Sequence, residues 1–245
     1  MKPNVLAVFA HPDDEFTVAP LLARCAAEGH GTYLASFTSG QKGSAAHAKI
    51  GPGAALGAVR EEELRRAAAE LGIAPPFLLG FEDQGISQPR AAAEAAERLR
   101  EIIARVRPGV LITFGPDGLT GHPDHRAASN IATEVFQQRG RLAYAPRKLY
   151  YTVLPESLFA AVPPPFDARL RTTSDRFVTT AVDCRGWLDA AYAAIRCHAT
   201  QWTPERMAQF DHVNRAVLAG RVYLRLAMQE GPPVAALETH IFERA

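Results

Sequence analysis

Apolar residues in this chain take two forms, short unbroken runs and longer stretches in which they recur every three or four positions. Val5-Leu6-Ala7-Val8-Phe9-Ala10 is a run of the first kind, and its continuity suits a strand covered on both faces, as in a parallel sheet. His11-Pro12 breaks it. Further strands are expected at 32–38, 77–80, 110–114, 148–154 and 177–182. The second form predicts a helix at 21–29, with Pro20 near its first turn and Gly29 as its cap. Another is expected at 60–71, where Leu64, Ala67, Ala68 and Leu71 share a face and Gly72 is the stop. Residues 91–106 carry Leu99, Ile102, Ile103 and Val106 on one stripe before Pro108-Gly109. Helices are also expected at 127–138, 187–198 and 205–228.

Strands and helices therefore alternate, which predicts an α/β fold: one Rossmann-like domain over 1–245, with a mostly parallel sheet, right-handed crossovers and flanking helices. Residues 155–175 are too irregular for a core element and contain Phe159, Pro163-Pro164-Pro165 and Phe166. Such a segment is either a surface connection or a lid over a pocket. Gly231-Pro232-Pro233 detaches a short tail in which Ile241-Phe242 is a candidate contact surface.

Charge narrows the class of partner. Lys and Arg number 27 against 26 Asp and Glu, a formal net charge of +1, so no general attraction to nucleic acid or an anionic membrane is expected. Cys25, Cys184 and Cys197 are scattered and odd in number, which argues for reduced thiols over a disulfide framework. The N-terminal apolar run is too short for a signal peptide, and no window is long enough to cross a bilayer. A cytoplasmic protein is expected.

Two clusters can carry chemistry. His11-Pro12-Asp13-Asp14-Glu15 follows the first strand, and Gly121-His122-Pro123-Asp124-His125 follows the strand at 110–114. In open parallel sheets ligands bind at the carboxyl ends of strands, so both clusters are expected in one crevice. His11 and Asp14 are three residues apart, as are His122 and His125, and each pair can face one side of a helical turn. Carboxylates packed this closely repel unless a cation or protons neutralise them. Two imidazoles and a carboxylate around an open position form the ligand set of a hydrolytic zinc site. Spacing leaves open whether His122 or His125 coordinates, and whether Asp13 or Glu15 handles the proton. Competing sites are weak: Gly51-Pro52-Gly53 with Gly57 fails the dinucleotide spacing, 39–44 lacks the phosphate-loop pattern, and no Gly-x-Ser-x-Gly elbow occurs.

At these residues the chain resembles the PIG-L/LmbE-like family of zinc-dependent N-acetylglucosamine de-N-acetylases. The resemblance extends to Arg60-Glu61-Glu62, to Asp83 before Gly85, and to His198-Ala199-Thr200-Gln201. It implies that His11, Asp14 and His125 bind Zn2+, although Fe2+ suits such ligands too. It further implies that Asp13 is the general base and that His122 polarises the amide carbonyl or protonates the leaving amine. Arg60, Asp83 and His198 are then candidates for holding the sugar. Read without the resemblance, Arg60 is a solvated first helical turn and Asp83 a turn former. Where many relatives have Gly-Glu, this chain has Gly40-Gln41-Lys42, which could alter sugar contacts or favour an acidic aglycone. The implied reaction is hydrolysis of the N-acetyl group of a GlcNAc-type conjugate such as GlcNAc-malate or GlcNAc-inositol. Other substrates of the same chemistry are a chitooligosaccharide or an antibiotic intermediate, and a sugar- or metal-binding protein without turnover is the rival of another class. Relatives are often oligomers, so assembly into a homo-oligomer is a further expectation.

Overall fold

The computed structural model describes residues 2–160, 162, 170–231 and 236–243. The expected strand at the N-terminus forms β1 (Asn4–Phe9), in which Val5 to Val8 are fully buried. A short 3-10 turn (Asp14–Thr17) leads to α1 (Ala19–Ala27), which begins with a proline in its first turn. Then come β2 (Thr32–Thr38), α2 (Ala54–Glu70), β3 (Phe77–Phe81) and α3 (Pro89–Val106). They are followed by β4 (Pro108–Phe114), α4 (Pro123–Gln137), β5 (Lys148–Thr152) and the single turn α5 (Glu156–Phe159). The chain continues through β6 (Thr180–Asp183), α6 (Leu188–Arg196), α7 (Pro204–His212) and β7 (Arg221–Gln229).

All seven strands join one sheet in the order β3-β2-β1-β4-β5-β7-β6. The first five in that order are mutually parallel, while β7 runs antiparallel to both β5 and β6. The helices pack as two groups, α1 and α2 against α6, and α3 against α4, as right-handed crossovers on opposite sides of β1 require. Leu99, Ile102, Ile103 and Val106, the stripe read from periodicity, are the buried face of α3. Successive connections leave β1 and β4 in opposite directions, so the sheet has its topological switch point between them. A crevice opens at their carboxyl ends.

Three expectations change. The helix expected at 205–228 stops at His212, passes through a π-helical turn (Val213–Val217), and gives way to β7. The physical reason is the pair Ala219 (φ 50°) and Gly220 (φ 68°), whose left-handed backbone reverses the chain. From there Val222, Leu224, Leu226 and Met228 alternate with polar residues and Ala227, which is a strand period. The helix expected at 60–71 starts earlier, at Ala54, which puts Arg60 in its interior. The strand expected at 177–182 begins at Thr180, after a 3-10 turn (Asp175–Phe177). The tail pair does not offer a free surface: Ile241 is 1 % exposed and the Phe242 ring stacks on His30 at 3.8 Å. Pro163 to Pro165 and Phe166 lie outside the described residues. Among those described, no helix is long and apolar enough to cross a membrane.

The sheet's antiparallel flank is locked by a buried ion pair. Lys148 Nζ meets Glu238 Oε1 at 2.5 Å, while the Tyr150 hydroxyl and Thr180 Oγ1 donate to Glu238 Oε2 at 2.6 and 3.0 Å. Both charged side chains are 2 % exposed or less. Removing one partner of such a pair strands the other charge in the core. Glu238→Ala is therefore expected to lose about 3–5 kcal/mol of folding stability, measured as a lowered urea midpoint.

Candidate active site

The crevice holds both histidine clusters. His11 lies two residues past the end of β1, and the 3-10 turn after it brings Asp14 back so that its Oδ2 accepts the His11 backbone N–H at 2.8 Å. His122 is the N-cap of α4 and His125 lies in that helix's first turn. The Phe114 ring, at the end of β4, stacks on His125 at 4.3 Å and fixes its plane.

The hydrogen bonds decide which nitrogens face inward. His125 Nδ1 lies 3.0 Å from the Gly118 carbonyl, which can only accept, so Nδ1 carries the proton and Nε2 presents a lone pair. His11 Nε2 lies 3.1 Å from Asp83 Oδ1 and 3.4 Å from Asp124 Oδ2, both acceptors, which leaves His11 Nδ1 as the bare atom of a neutral ring. These two inward nitrogens are 3.2 Å apart. Asp14 completes a triangle, with Oδ1 3.2 Å from His125 Nε2 and Oδ2 3.4 Å from His11 Nδ1.

The two inward nitrogens and the two Asp14 oxygens, this close, repel unless a positive charge sits among them. Metal–ligand bonds of about 2.0–2.1 Å around a tetrahedral ion place neighbouring ligand atoms about 3.3–3.4 Å apart, close to the 3.2–3.4 Å separations of these side chains. The donor set thus fits a divalent cation on its own geometry. The outward hydrogen bonds to Asp83, Asp124 and Gly118 are those that orient metal-ligating histidines. The electrostatics show a site that attracts positive charge, a proton on His11 or a cation in its place. Burial alone would lower the His11 imidazole, but Asp124, Asp14 and Asp83 outweigh it and raise it well above its usual value. Against the effect of burial, His125 and His11 hold the Asp14 carboxyl well below the carboxylate range. Asp83, opposed by burial in the same way, comes down to about 2 through His11 and the Lys42 backbone N–H.

His122 stands at the edge of this group. Its ring nitrogens and those of His11 and His125 include a set within 4.8 Å of one another. The Asp124 backbone N–H donates to His122 Nδ1 at 3.2 Å, so the proton of the neutral ring is on Nε2. Burial, then the charges of His11 and His125, lower its basicity.

Asp13 sits beside the triangle on a left-handed backbone (φ 91°), rare for a non-glycine residue and maintained only where the surroundings enforce it. Arg60 Nη2 donates to its Oδ1 at 2.8 Å, and Trp202 Nε1 donates to its Oδ2 at 3.2 Å. Its backbone N–H donates to Glu15 Oε2 at 3.0 Å. Burial pushes the Asp13 carboxyl up, with the Arg60 guanidinium opposing.

The structure thus brings His11, Asp13, Asp14, Arg60, Asp83, His122 and His125 to one cleft of about 390 Å³. Arg60 is no solvated turn: it is 4 % exposed, and it also bonds the carbonyls of Gly40 and Pro12. A side chain at Gly40 (φ 61°) would collide with that guanidinium. His198 is placed differently from the expectation of substrate contact. It is 0 % exposed and stands behind Glu15, its Nε2 2.5 Å from Glu15 Oε1, where it supports the residue that holds Asp13. Lys42 pairs with the exposed Glu82 at 2.8 Å. Sequence reasoning missed Trp202, although it directly follows the His-x-Thr-Gln stretch, and gave no role to the buried Asp124 of the second cluster. It also missed Glu63, which caps Thr200 through its N–H and hydroxyl at 2.8 and 2.6 Å.

An α/β sheet with a donor set that fits a divalent cation and a buried carboxylate at its switch point suits metal-dependent hydrolysis. Residues 6–136, more than half of the chain, match the model of the PIG-L family, GlcNAc-PI de-N-acetylase. The chain belongs to this family, and it is accordingly an amide hydrolase of the deacetylase type. It is 35 % identical to a Rhodococcus opacus 1D-myo-inositol 2-acetamido-2-deoxy-alpha-D-glucopyranoside deacetylase, over 82 % of each chain. Its fold is shared with the N,N'-diacetylchitobiose deacetylase of Pyrococcus horikoshii (TM-score 0.69, 18 % identity, 91 % of this chain and 82 % of that one). It is also shared with the 4-carboxy-2-hydroxymuconate hydratase of Pseudomonas putida KT2440 (TM-score 0.70, 19 % identity, 96 % and 100 %). The architecture therefore hosts more than one reaction.

Proposed function

We propose that this protein hydrolyses the N-acetyl group of a GlcNAc-type sugar conjugate, releasing acetate and the free amine, with GlcNAc-inositol as its first candidate substrate. The observation that carries the chemistry is the inward triangle of His11 Nδ1, His125 Nε2 and Asp14 beside the doubly held Asp13. The choice of inositol conjugate is supported by the name of the Rhodococcus opacus relative.

In this reading His11, Asp14 and His125 hold the cation, Zn2+ by ligand chemistry, with Fe2+ suited to the same set. When bound, the cation supplies Lewis acidity, which brings the pKa of water from ~15.7 toward ~7. Asp13 takes the proton of the attacking water. Arg60 and Trp202 each occupy one lone pair of its two oxygens, so a further lone pair remains for that proton and the carboxylate cannot rotate away. A carboxyl whose affinity for protons is raised by burial keeps the proton long enough to return it to the departing amine.

His122 acts as a neutral donor in this scheme. With Nδ1 engaged by the Asp124 N–H and basicity lowered, its Nε2–H is directed to the oxygen of the acetyl carbonyl, which gains negative charge as water adds. Protonation of the amine is then left to Asp13. His122→Ala is expected to lower kcat by about 10²–10³-fold with bound metal unchanged. His122→Gln, which retains an N–H donor, should lose less; equal losses would remove the donor role.

One part of the cleft wall is aromatic: Phe16, Trp202 and Phe210 meet edge to face, with centroids 5.3 to 6.1 Å apart. Such a wall suits the apolar face of a sugar ring. The test is acetate release from a panel of GlcNAc-inositol, GlcNAc-malate and N,N'-diacetylchitobiose. Highest kcat/KM on the inositol conjugate is expected. Preference for another member would reassign the aglycone, and no release from any member would favour binding without turnover.

A further inference from the structure

A second set of metal-binding side chains meets at the other end of β1, where α1 ends and the C-terminal segment returns to the sheet. Glu28 caps α1, His30 lies just before β2, and His240 belongs to the segment 236–243. One donor atom from each lies within 4.8 Å of the other two. None of the three touches the cleft.

Their other hydrogen bonds leave one donor atom apiece for a ligand. His30 Nδ1 lies 2.8 Å from the Pro3 carbonyl, which only accepts, so this ring keeps its proton there and presents the Nε2 lone pair. That backbone carbonyl is also the partner that commonly orients a metal-bound histidine. Arg24 Nε occupies Glu28 Oε1 at 2.7 Å, which leaves Oε2, 3.0 Å from His240 Nε2. The His30 ring is held against Phe242 at 3.8 Å with an interplanar angle of 12°, so its direction is fixed by packing. For His240 to ligate, its proton moves from Nε2 to Nδ1, which gives up the 3.3 Å contact from the Phe242 N–H and replaces the 3.0 Å hydrogen bond to Glu28 Oε2 with a shared cation.

We propose that Glu28, His30 and His240 form a structural site for a late first-row divalent cation, with Zn2+ the cation of choice, that staples the C-terminal segment to the start of β2. Two imidazoles and one carboxylate select such an ion over Mg2+ and Ca2+, which take oxygen ligands. Arg24 and Lys2, whose ammonium reaches the Glu28 carbonyl, stand nearby and oppose the cation, so binding here is weaker than in the carboxylate-rich cleft. The gain is topological. Glu238, two residues before His240, enters the core to meet Lys148, and a metal at His240 fixes the segment on the other side of that anchor.

The site does not depend on the deacetylase reading, and the experiment separates the two. The full chain, stripped of metal, is titrated with Zn2+ by equilibrium dialysis and with Co2+ by visible absorption. About two equivalents are expected in the wild type and about one in His240→Ala and in His30→Gln, with acetate release unchanged in both variants. Thermal unfolding of the wild type should shift upward as the second equivalent binds, and that shift should vanish in the variants. Mg2+ should produce neither effect. Equivalents that do not fall in His240→Ala and His30→Gln relative to the wild type would overturn the proposal, whereas one equivalent in the wild type that is lost in both variants would keep it and count against the cleft metal. Loss of the cleft equivalent in His125→Ala leaves the tail site to be counted alone.

Discussion

Asp13→Asn is expected to lower kcat by about 10²–10⁴-fold while leaving the cleft metal in place. Asparagine is close in volume and tolerates the left-handed backbone that Asp13 adopts (φ 91°), so the loop should keep its course. The electrostatics change more. Arg60 and Trp202 both donate to the residue at this position, and an amide offers only one oxygen to two donors. The amide also cannot take the water's proton. Because the wild-type carboxyl must be ionised to act, activity should fall on the acid side as pH drops through its raised pKa. The asparagine variant should lack that limb. Steady-state kinetics against pH, with metal content measured on the same samples, decides it, and full activity in Asp13→Asn would place the base elsewhere.

Removing the cleft metal should abolish acetate release altogether, and Zn2+ should restore it. His125→Ala takes one corner from the donor set, and its effect on metal affinity should exceed the ~10–100-fold typical of losing a hydrogen-bond partner of a ligand. Asp83→Asn, which alters only the outward partner of His11, should fall within that smaller range. The ordering is informative. If Asp83→Asn released metal as completely as His125→Ala, Asp83 would be a ligand and the assignment of the triangle would fail.

The two histidine clusters were readable in the chain because each compresses its donors into a few residues after an apolar run, so local spacing carried the information. What joined them was topology: β1 and β4 are adjacent, and this followed from the alternation of strands and helices. Supporting residues were harder to read because their partners are remote in sequence. Arg60 looks like part of a charged helical face until Asp13, 47 positions away, occupies its guanidinium. His198 appears to be a site residue until Glu15 covers it, 183 positions away. The early start of α2 was hidden by Gly57, a poor helix former. A Cβ there would meet Ser39 and Gln41 at 3.2 Å, so the glycine serves packing between helix and loop. The long helix expected at 205–228 failed at Gly220. The alternation beyond it was visible, but a 24-residue window without proline after its start also satisfied helical spacing.

The order β5-β7-β6 has a consequence in time as well as space. During synthesis β6 leaves the ribosome well before β7, yet among the described residues its only strand neighbour in the sheet is β7. Until residues 221–229 emerge, β5 keeps an open edge and β6 has nothing to pair with. The parallel portion can assemble as it is made; the antiparallel flank forms only once β7 has been made. Slow translation across 184–220 should therefore expose a nascent chain to chaperones or to pairing with another β5 edge, and synonymous codons in that interval become a lever on yield that no substitution in the folded protein would reveal.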